Sequence, residues 1–155
     1  MALDPYSNDY QRYAAVAILS AREKAPFLER HVIWPDPNPS NFTLWAEQHG
    51  VIVHTVRLSM MDDFEKFKEE GSVDQFWFKT ALGAFGRYDV CNVYREWGGK
   101  SEYLLYTDSD IMFMSQPRPF TFDPPGIIAI GPDRWKNQRL NSGEKMRWIT
   151  VGFLF

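Results

Sequence analysis

The sequence predicts an α/β fold, with a single domain built around a mostly parallel central sheet. Short apolar runs alternate along the chain with stretches of helical character, and the first run, residues 13–19 (YAAVAIL), is apolar throughout. A run of this length without polar alternation is typical of a strand buried on both faces, as parallel strands are. The chain has 155 residues, 45% of them hydrophobic and 24% charged, which is the composition of one ordinary globular domain.

The first strand sets the expected start of the domain. We expect a polar N-terminal segment at residues 1–12, a domain over residues 13–155, and a loop directly after the first strand at Ser20, Ala21 and Arg22. A helix is then predicted to begin near Pro26, because proline is favoured in the first turn of a helix.

The next elements follow from proline, glycine and β-branched residues. The prolines at residues 35–40 (PDPNPS) predict a rigid loop. Residues 41–49 predict a short helix that Gly50 ends. Residues 51–56 (VIVHTV) are mostly β-branched and predict a second strand.

The middle of the chain is predicted to be helical. Residues 61–70 form a charged surface helix that ends at Gly71, and Ser72 with Gln75 makes a capping box for a helix beginning near Asp74. That helical region is predicted to run toward Trp97 and to end at the glycine pair Gly98 and Gly99. It would split in two at Gly83 or Gly86.

The last third of the chain is predicted to return to strands. The expected strands are residues 103–106 (YLLY), residues 126–131 (GIIAIG) after a proline-rich connection, and the beginning of another at residues 151–155 (VGFLF). Chains usually end in polar surface segments, so an apolar ending favours a C-terminally truncated domain.

Charge and cysteine content narrow the function classes. The net charge is −3 and no basic stripe is visible, which argues against a nucleic-acid partner. The single Cys91 makes no internal disulfide and suits a reducing compartment, so we expect a cytoplasmic protein unless the natural chain is longer. No signal peptide and no membrane-spanning run of about 20 apolar residues is visible in the sequence.

Two carboxylates interrupt the apolar run at residues 103–114 (YLLYTDSDIMFM). Alternate residues of an extended chain point to the same side, so Asp108 and Asp110 are expected to converge while Ser109 points away. Neighbouring carboxylates repel unless a cation lies near both or one is protonated, and carboxylate oxygens favour Mg²⁺ or Mn²⁺. The sequence therefore predicts a divalent cation site after a strand, where open α/β sheets present ligands. The alternative is a polar turn with surface partners.

The same region resembles a known family of enzymes. A Lys or Arg on a helix precedes a strand of the form hydrophobic-Tyr-x-Asp-x-Asp-hydrophobic, and a further strand with an Asp follows. This order resembles the GT-A fold glycosyltransferases, particularly the glycogenin-like group known as family 8. The matching residues are Phe78 with Lys79, residues 86–88 around Arg87, residues 105–111 and residues 128–133.

The resemblance implies a metal-dependent transferase that moves a sugar from a nucleoside-diphosphate sugar, with a UDP-sugar expected, to a hydroxyl of a glycan or protein acceptor. Asp108 and Asp110 would bind Mn²⁺ or Mg²⁺ that bridges the two phosphates, and Arg87 and Lys79 would add positive charge beside them. The donor would also contact Ser109 and, through its base and ribose, the loop formed by Ser20, Ala21 and Arg22.

The chain also departs from the family pattern. Family members usually supply a third metal ligand, a histidine, after the acidic pair, whereas His31, His49 and His54 all precede it. No catalytic residue is assigned, and retention or inversion at the sugar stays open. Two alternatives therefore remain: a non-catalytic nucleotide-binding or partner-binding domain, and an aspartate-nucleophile phosphohydrolase, a class that normally has Thr where this chain has Met112.

Overall fold

The computed structural model describes residues 1–72, 74–101 and 104–115, together with the backbone of residues 131–132, 138–139, 145–146 and 149–150. The chain divides into two compact units where the sequence predicts one domain. The first unit contains residues 1–100 and 108–118, and the second contains residues 101–107 and 119–155. The first unit mixes helices with a small parallel sheet, so the predicted mixed α/β class is confirmed.

Helix α1 spans Asn8–Lys24 and includes the run that the sequence predicts as a buried strand. That prediction is wrong because the apolar run is part of a longer helical pattern, in which Ala14, Ala17, Ile18 and Ala21 lie on one buried face. The side chain of Ser7 accepts a hydrogen bond from the amide of Tyr10 and caps the helix. Short apolar runs do not by themselves distinguish a strand from a buried helix.

The predicted helix near Pro26 is also wrong. Pro26 lies in a turn, and strand β1 follows at Arg30–Trp34. The loop at residues 35–40 is confirmed, and helix α2 follows at Asn41–Gln48. Ser40 and Thr43 form a reciprocal capping box at its beginning. Gly50, with φ of 73°, ends the segment as predicted.

Strand β2, Val51–Thr55, is confirmed and pairs in parallel with β1, so that His31 faces Ile52 and Ile33 faces His54. The N-terminal residues also belong to this layer. Ala2 forms a parallel bridge with Ile33, and the amide of Ile33 donates to the carbonyl of Met1 at 2.8 Å. Residues 1–3 therefore lie along the edge of β1 opposite β2.

Side chains alternate between the two faces of this small sheet, and both faces are covered. Val32 and Trp34 point toward α1 and α2, where the main core cluster forms. The buried members of that cluster are Leu3, Ala14, Ile18, Val32, Trp34, Phe42, Ala46 and Val51. Ile33 points to the opposite face, toward Gly86 and Leu58.

Helix α3, Met61–Glu69, is confirmed, and Gly71 ends it with φ of 67°. The Gly71 amide donates to Lys68 and the Ser72 amide donates to Phe67, as in a Schellman motif. Ser72 thus closes α3 and does not cap the next helix, so the predicted capping box is wrong.

Helix α4, Gln75–Phe85, begins where predicted, but its cap is the Asp74 carboxylate, which accepts from the Trp77 amide at 2.7 Å. The helical region splits at Gly86 and not at Gly83, because a 3₁₀ turn, Gly86–Asp89, connects α4 to helix α5. The two glycines allow close packing of the N-terminal residues. A Cβ on Gly83 would lie 2.8 Å from the Asp4 amide nitrogen, and a Cβ on Gly86 would lie 2.7 Å from the Ala2 Cβ.

Helix α5, Val90–Glu96, ends at the predicted glycine pair. Gly98 has φ of 91°, its amide donates to Arg95, and the Gly99 amide donates to Tyr94, so this end is a second Schellman motif. No described helix is long and apolar enough to cross a membrane.

The second unit contains two short antiparallel pairs among its described residues. Strand β3, Gly131–Pro132, pairs with β6, Ile149–Thr150, and strand β4, Gln138–Arg139, pairs with β5, Lys145–Met146. Parallel pairing in the described residues is thus limited to the first unit, and the mostly parallel central sheet is not seen beyond it. Most of the predicted strand at residues 126–131 and all of residues 151–155 lie outside the described residues.

Candidate functional site

The acidic pair lies in a segment without regular structure. Among the described residues 104–115 there is no strand or helix, so the predicted strand at residues 103–106 is wrong where it is described; residue 103 lies outside the described residues. Ser109 and Asp110 form a turn, in keeping with the turn preference of Ser and Asp. The extended geometry that was expected to place Asp108 and Asp110 on one side is therefore not present.

Arg87 holds the Asp108 end of this segment. Its Nη2 atom lies 3.5 Å from Asp108 Oδ1, and the two side chains are 26% and 33% exposed. The Arg87 Nε–H donates to the carbonyl of Ala84 at 2.7 Å, which fixes the guanidinium against the last turn of α4. Arg87 thus lies beside Asp108, and Asp108 has the basic partner expected of a polar turn.

Ser20 holds the other end of the segment. Its hydroxyl accepts a hydrogen bond from the Phe113 amide at 3.0 Å and donates to the Ala17 carbonyl at 3.0 Å. Ser20 and Arg87 therefore fix the chain on both sides of the Ser109–Asp110 turn. The sequence gives no signal for this contact, because the two partners are 93 residues apart.

The Met1 α-amino group lies near the carboxylate of Asp108. Burial lowers the pKa of the Met1 α-amino group to about 6, while the negative charge of Asp108 acts in the opposite direction on that pKa. The same amino group donates to the His31 carbonyl at 3.1 Å. Asp108 thus has the Arg87 guanidinium as its charged partner and lies near the Met1 amino group, whereas Asp110 is exposed.

The expected nucleoside-binding loop does not exist as a loop. Ser20, Ala21 and Arg22 lie in the last two turns of α1, with Ala21 6% exposed and Arg22 on the surface. Helix backbone amides in these turns are already hydrogen-bonded, so this stretch does not offer the free backbone groups of a loop. Lys79 lies in α4, on the element that leads to Arg87.

The metal-ligating capacity of the described residues is small. No three His, Cys, Asp or Glu side chains in the described ranges come together as a cation site. Mg²⁺, however, commonly takes only one or two protein carboxylates and completes its octahedron with waters and substrate phosphates. Partly exposed Asp108 and exposed Asp110 fit that kind of site and do not fit a closed protein cage.

The structure also brings together residues that the sequence analysis does not connect. His31 of β1 and His54 of β2 lie edge to edge, with His31 Nδ1 2.8 Å from His54 Nε2. The signal available in the sequence is limited to His54, which lies in the predicted strand at residues 51–56, and the contact with His31 depends on the parallel register of β1 and β2.

Comparison with known proteins gives no relative: no family model, curated protein or solved structure matches this chain.

Proposed function

We propose that this chain binds a nucleoside-diphosphate sugar, with a UDP-sugar as the first candidate, together with Mn²⁺ or Mg²⁺, and transfers the sugar to a hydroxyl of a glycan or protein acceptor. The fold that goes with this proposal is a GT-A domain. The observation that carries it is the pairing of a guanidinium with one carboxylate of a D-x-D sequence, beside a second, exposed carboxylate.

A metal diphosphate needs both charge types at one place. The cation is bound by carboxylate oxygens, and the phosphate oxygens are bound by donors such as guanidinium, whose planar fork matches them in bidentate geometry. Arg87 and Asp108 supply these two groups within 3.5 Å of each other. In the unliganded protein each neutralises the other, and in the complex Arg87 would turn to phosphate and Asp108 to the cation.

The energetic cost of opening the Arg87–Asp108 pair is small. The two side chains are 26% and 33% exposed, and a partly exposed ion pair at 3.5 Å contributes on the order of 1 kcal/mol. A charge-assisted hydrogen bond to phosphate contributes about 1.5–3 kcal/mol, so the exchange of partners is favourable once the ligand is bound.

The transfer step breaks the bond between the anomeric carbon and the phosphate oxygen. The acceptor hydroxyl oxygen forms the new bond to that carbon, and its proton passes to an oxygen of the departing diphosphate or to water. The electron pair of the broken bond leaves with the nucleoside diphosphate. The cation, when bound, supplies Lewis-acid stabilisation of that leaving group. Arg87 would add a second positive charge there and Lys79 a third, while Ser20 positions the segment that bears Asp108. Ser109 at the turn and Arg22 at the end of α1 remain proposed donor contacts.

Calorimetric titration with UDP-hexoses, with and without Mn²⁺, tests the proposal. We expect binding that depends on Mn²⁺ and is lost in Asp108→Asn, whereas Asp63→Asn, a surface carboxylate in the first turn of α3, leaves binding unchanged. Absence of Mn²⁺-dependent binding in the folded protein would refute the proposal. Binding without donor hydrolysis or transfer would indicate a non-catalytic nucleotide-binding domain, and trapping of beryllium fluoride on Asp108 would indicate the phosphohydrolase.

A further inference from the structure

The contact between His31 and His54 is a hydrogen bond in the plane of the two rings. Their nitrogens are 2.8 Å apart, the ring planes differ by 10°, and the ring centroids are 5.1 Å apart. If the two parallel rings were stacked face to face with centroids 5.1 Å apart, His31 Nδ1 and His54 Nε2 could not lie as close as 2.8 Å. The nitrogens therefore point directly at each other, which requires one hydrogen between them.

Glu29 fixes the outer side of His31. Its Oε1 atom lies 2.9 Å from His31 Nε2, so this nitrogen carries a hydrogen that it donates to the carboxylate. With both rings neutral, His31 Nδ1 then accepts from His54 Nε2–H. One added proton is also accommodated, because it can be held on His54 Nδ1 while a single hydrogen remains between the rings.

A second added proton cannot be accommodated in this geometry. Both nitrogens that face each other, His31 Nδ1 and His54 Nε2, would then carry a hydrogen, and two imidazolium cations would face each other at hydrogen-bond distance. Like charges this close disfavour the charged form strongly. The hydrogen bonds that link Glu29, His31 and His54 can therefore form with no added proton or with one, and the bond between the two rings is lost when a second proton is added.

The histidine pair is also the surface on which α5 packs. Trp97 lies edge-on to both rings, with centroid separations of 5.0 Å to His31 and 5.9 Å to His54. Tyr94 lies edge-on to His31 at 5.4 Å. Since His31 is on β1 and His54 is on β2, the pair joins the two strands and the end of α5 in one contact.

Several titratable groups face the pair. Glu29 contacts His31 from the turn before β1, the Met1 α-amino group lies beside β1, and the Tyr94 phenol belongs to α5. Burial, then the charge of His31, then that of the N-terminal amino group lower the pKa of His54. These influences oppose protonation of His54, and the repulsion from a charged His31 acts in the same direction as the geometry.

We propose that the His31–His54 pair is a pH-sensitive latch, in which uptake of the second proton separates the rings and releases the end of α5 from the β1–β2 sheet. The latch is closed when the pair holds at most one added proton and opens as the pH falls. The latch is built from side chains other than those proposed to bind the sugar nucleotide and its cation.

Nuclear magnetic resonance of the full chain labelled with ¹³C and ¹⁵N histidine tests this latch over the range of about pH 8 to about pH 4.5, where histidine titrates. We expect the first proton to bind with the His54–Trp97 nuclear Overhauser contacts intact. The second proton should bind at lower pH, in a step that removes those contacts while the amide signals of α2, Asn41–Gln48, stay unchanged.

Two variants sharpen the measurement. His54→Gln should abolish the low-pH step, and His31→Gln gives the same result from the other ring if the first variant does not fold. His49→Gln is the matched control, because His49 stacks on Trp45 at 4.2 Å, away from the pair, and this variant should retain both steps. Independent titration of His31 and His54, persistence of the Trp97 contacts when both rings are charged, or simultaneous loss of the α2 signals would each overturn the latch.

Discussion

Replacement of Arg87 by methionine removes the guanidinium while keeping a long side chain against α4. In the unliganded protein the variant loses the contact to Asp108 at 3.5 Å and the hydrogen bond to the Ala84 carbonyl at 2.7 Å. A partly exposed ion pair and one hydrogen bond together contribute about 1–2 kcal/mol, so the free energy of unfolding should fall by at least about 1 kcal/mol.

Arg87→Met should lower the affinity for the nucleotide but not the affinity for Mn²⁺. Loss of a charge-assisted contact to the diphosphate costs about 1–3 kcal/mol, which corresponds to nucleotide affinity lower by roughly 5-fold to 150-fold. Affinity for Mn²⁺ alone should stay equal or rise, because Asp108 no longer has a competing cation within 3.5 Å.

Calorimetric titrations with Mn²⁺ alone and with UDP in excess Mn²⁺ measure the two affinities separately. Arg57→Met is the matched control, since Arg57 binds Asp62 at 2.6 Å and Glu65 at 2.8 Å in an exposed network. That variant should leave both affinities unchanged. An equal loss of both affinities in Arg87→Met, or no loss of nucleotide affinity in the folded variant, would refute the exchange of partners between Arg87, Asp108 and the ligand.

Three further substitutions test the structural contacts. Ser20→Ala removes the acceptor of the Phe113 amide, so the free energy of unfolding should fall by about 1 kcal/mol and that amide should exchange faster with deuterium. An unchanged exchange rate would contradict the hydrogen bond between Ser20 and Phe113. Gly83→Ala places a Cβ 2.8 Å from the Asp4 amide nitrogen and should destabilise the protein by about 1–3 kcal/mol in urea denaturation, although alanine is the better helix former. Higher stability of this variant would show that α4 packs less closely on the N-terminal residues than this distance indicates. Ser40→Ala removes the reciprocal cap of α2 and should lower the free energy of unfolding by about 1 kcal/mol in the same measurement. An unchanged free energy of unfolding would contradict the stabilising role of this cap.

The sequence predicts the helices of the first unit better than its strands. Glycines at residues 50, 71 and 98 mark the ends of helical segments because their positive φ angles disfavour other residues. The run at residues 13–19 was predicted as a strand because its apolar residues are consecutive, and only the buried face continuing through Ala21 shows it to be a helix. Strand β1 was missed because its first residues, Arg30 and His31, are polar.

The site could be predicted only in part for a physical reason. The D-x-D sequence and a basic residue before it are local signals, and Arg87 does lie beside Asp108. The Ser109–Asp110 turn and the hydrogen bond between Ser20 and Phe113 depend on contacts between distant parts of the chain. A local residue pattern does not reveal such contacts. The same holds for the histidine pair, which exists because β1 and β2 pair in one particular register.

The most direct test of the central claim is an anomalous-scattering map from crystals of the protein grown with Mn²⁺ and UDP. We predict a manganese peak about 2.1 Å from carboxylate oxygens of Asp108 or Asp110, with the Arg87 guanidinium turned toward phosphate. A map with no such peak, in which Asp108 still contacts Arg87 and Asp110 faces solvent, would contradict the claim that these two carboxylates hold a cation.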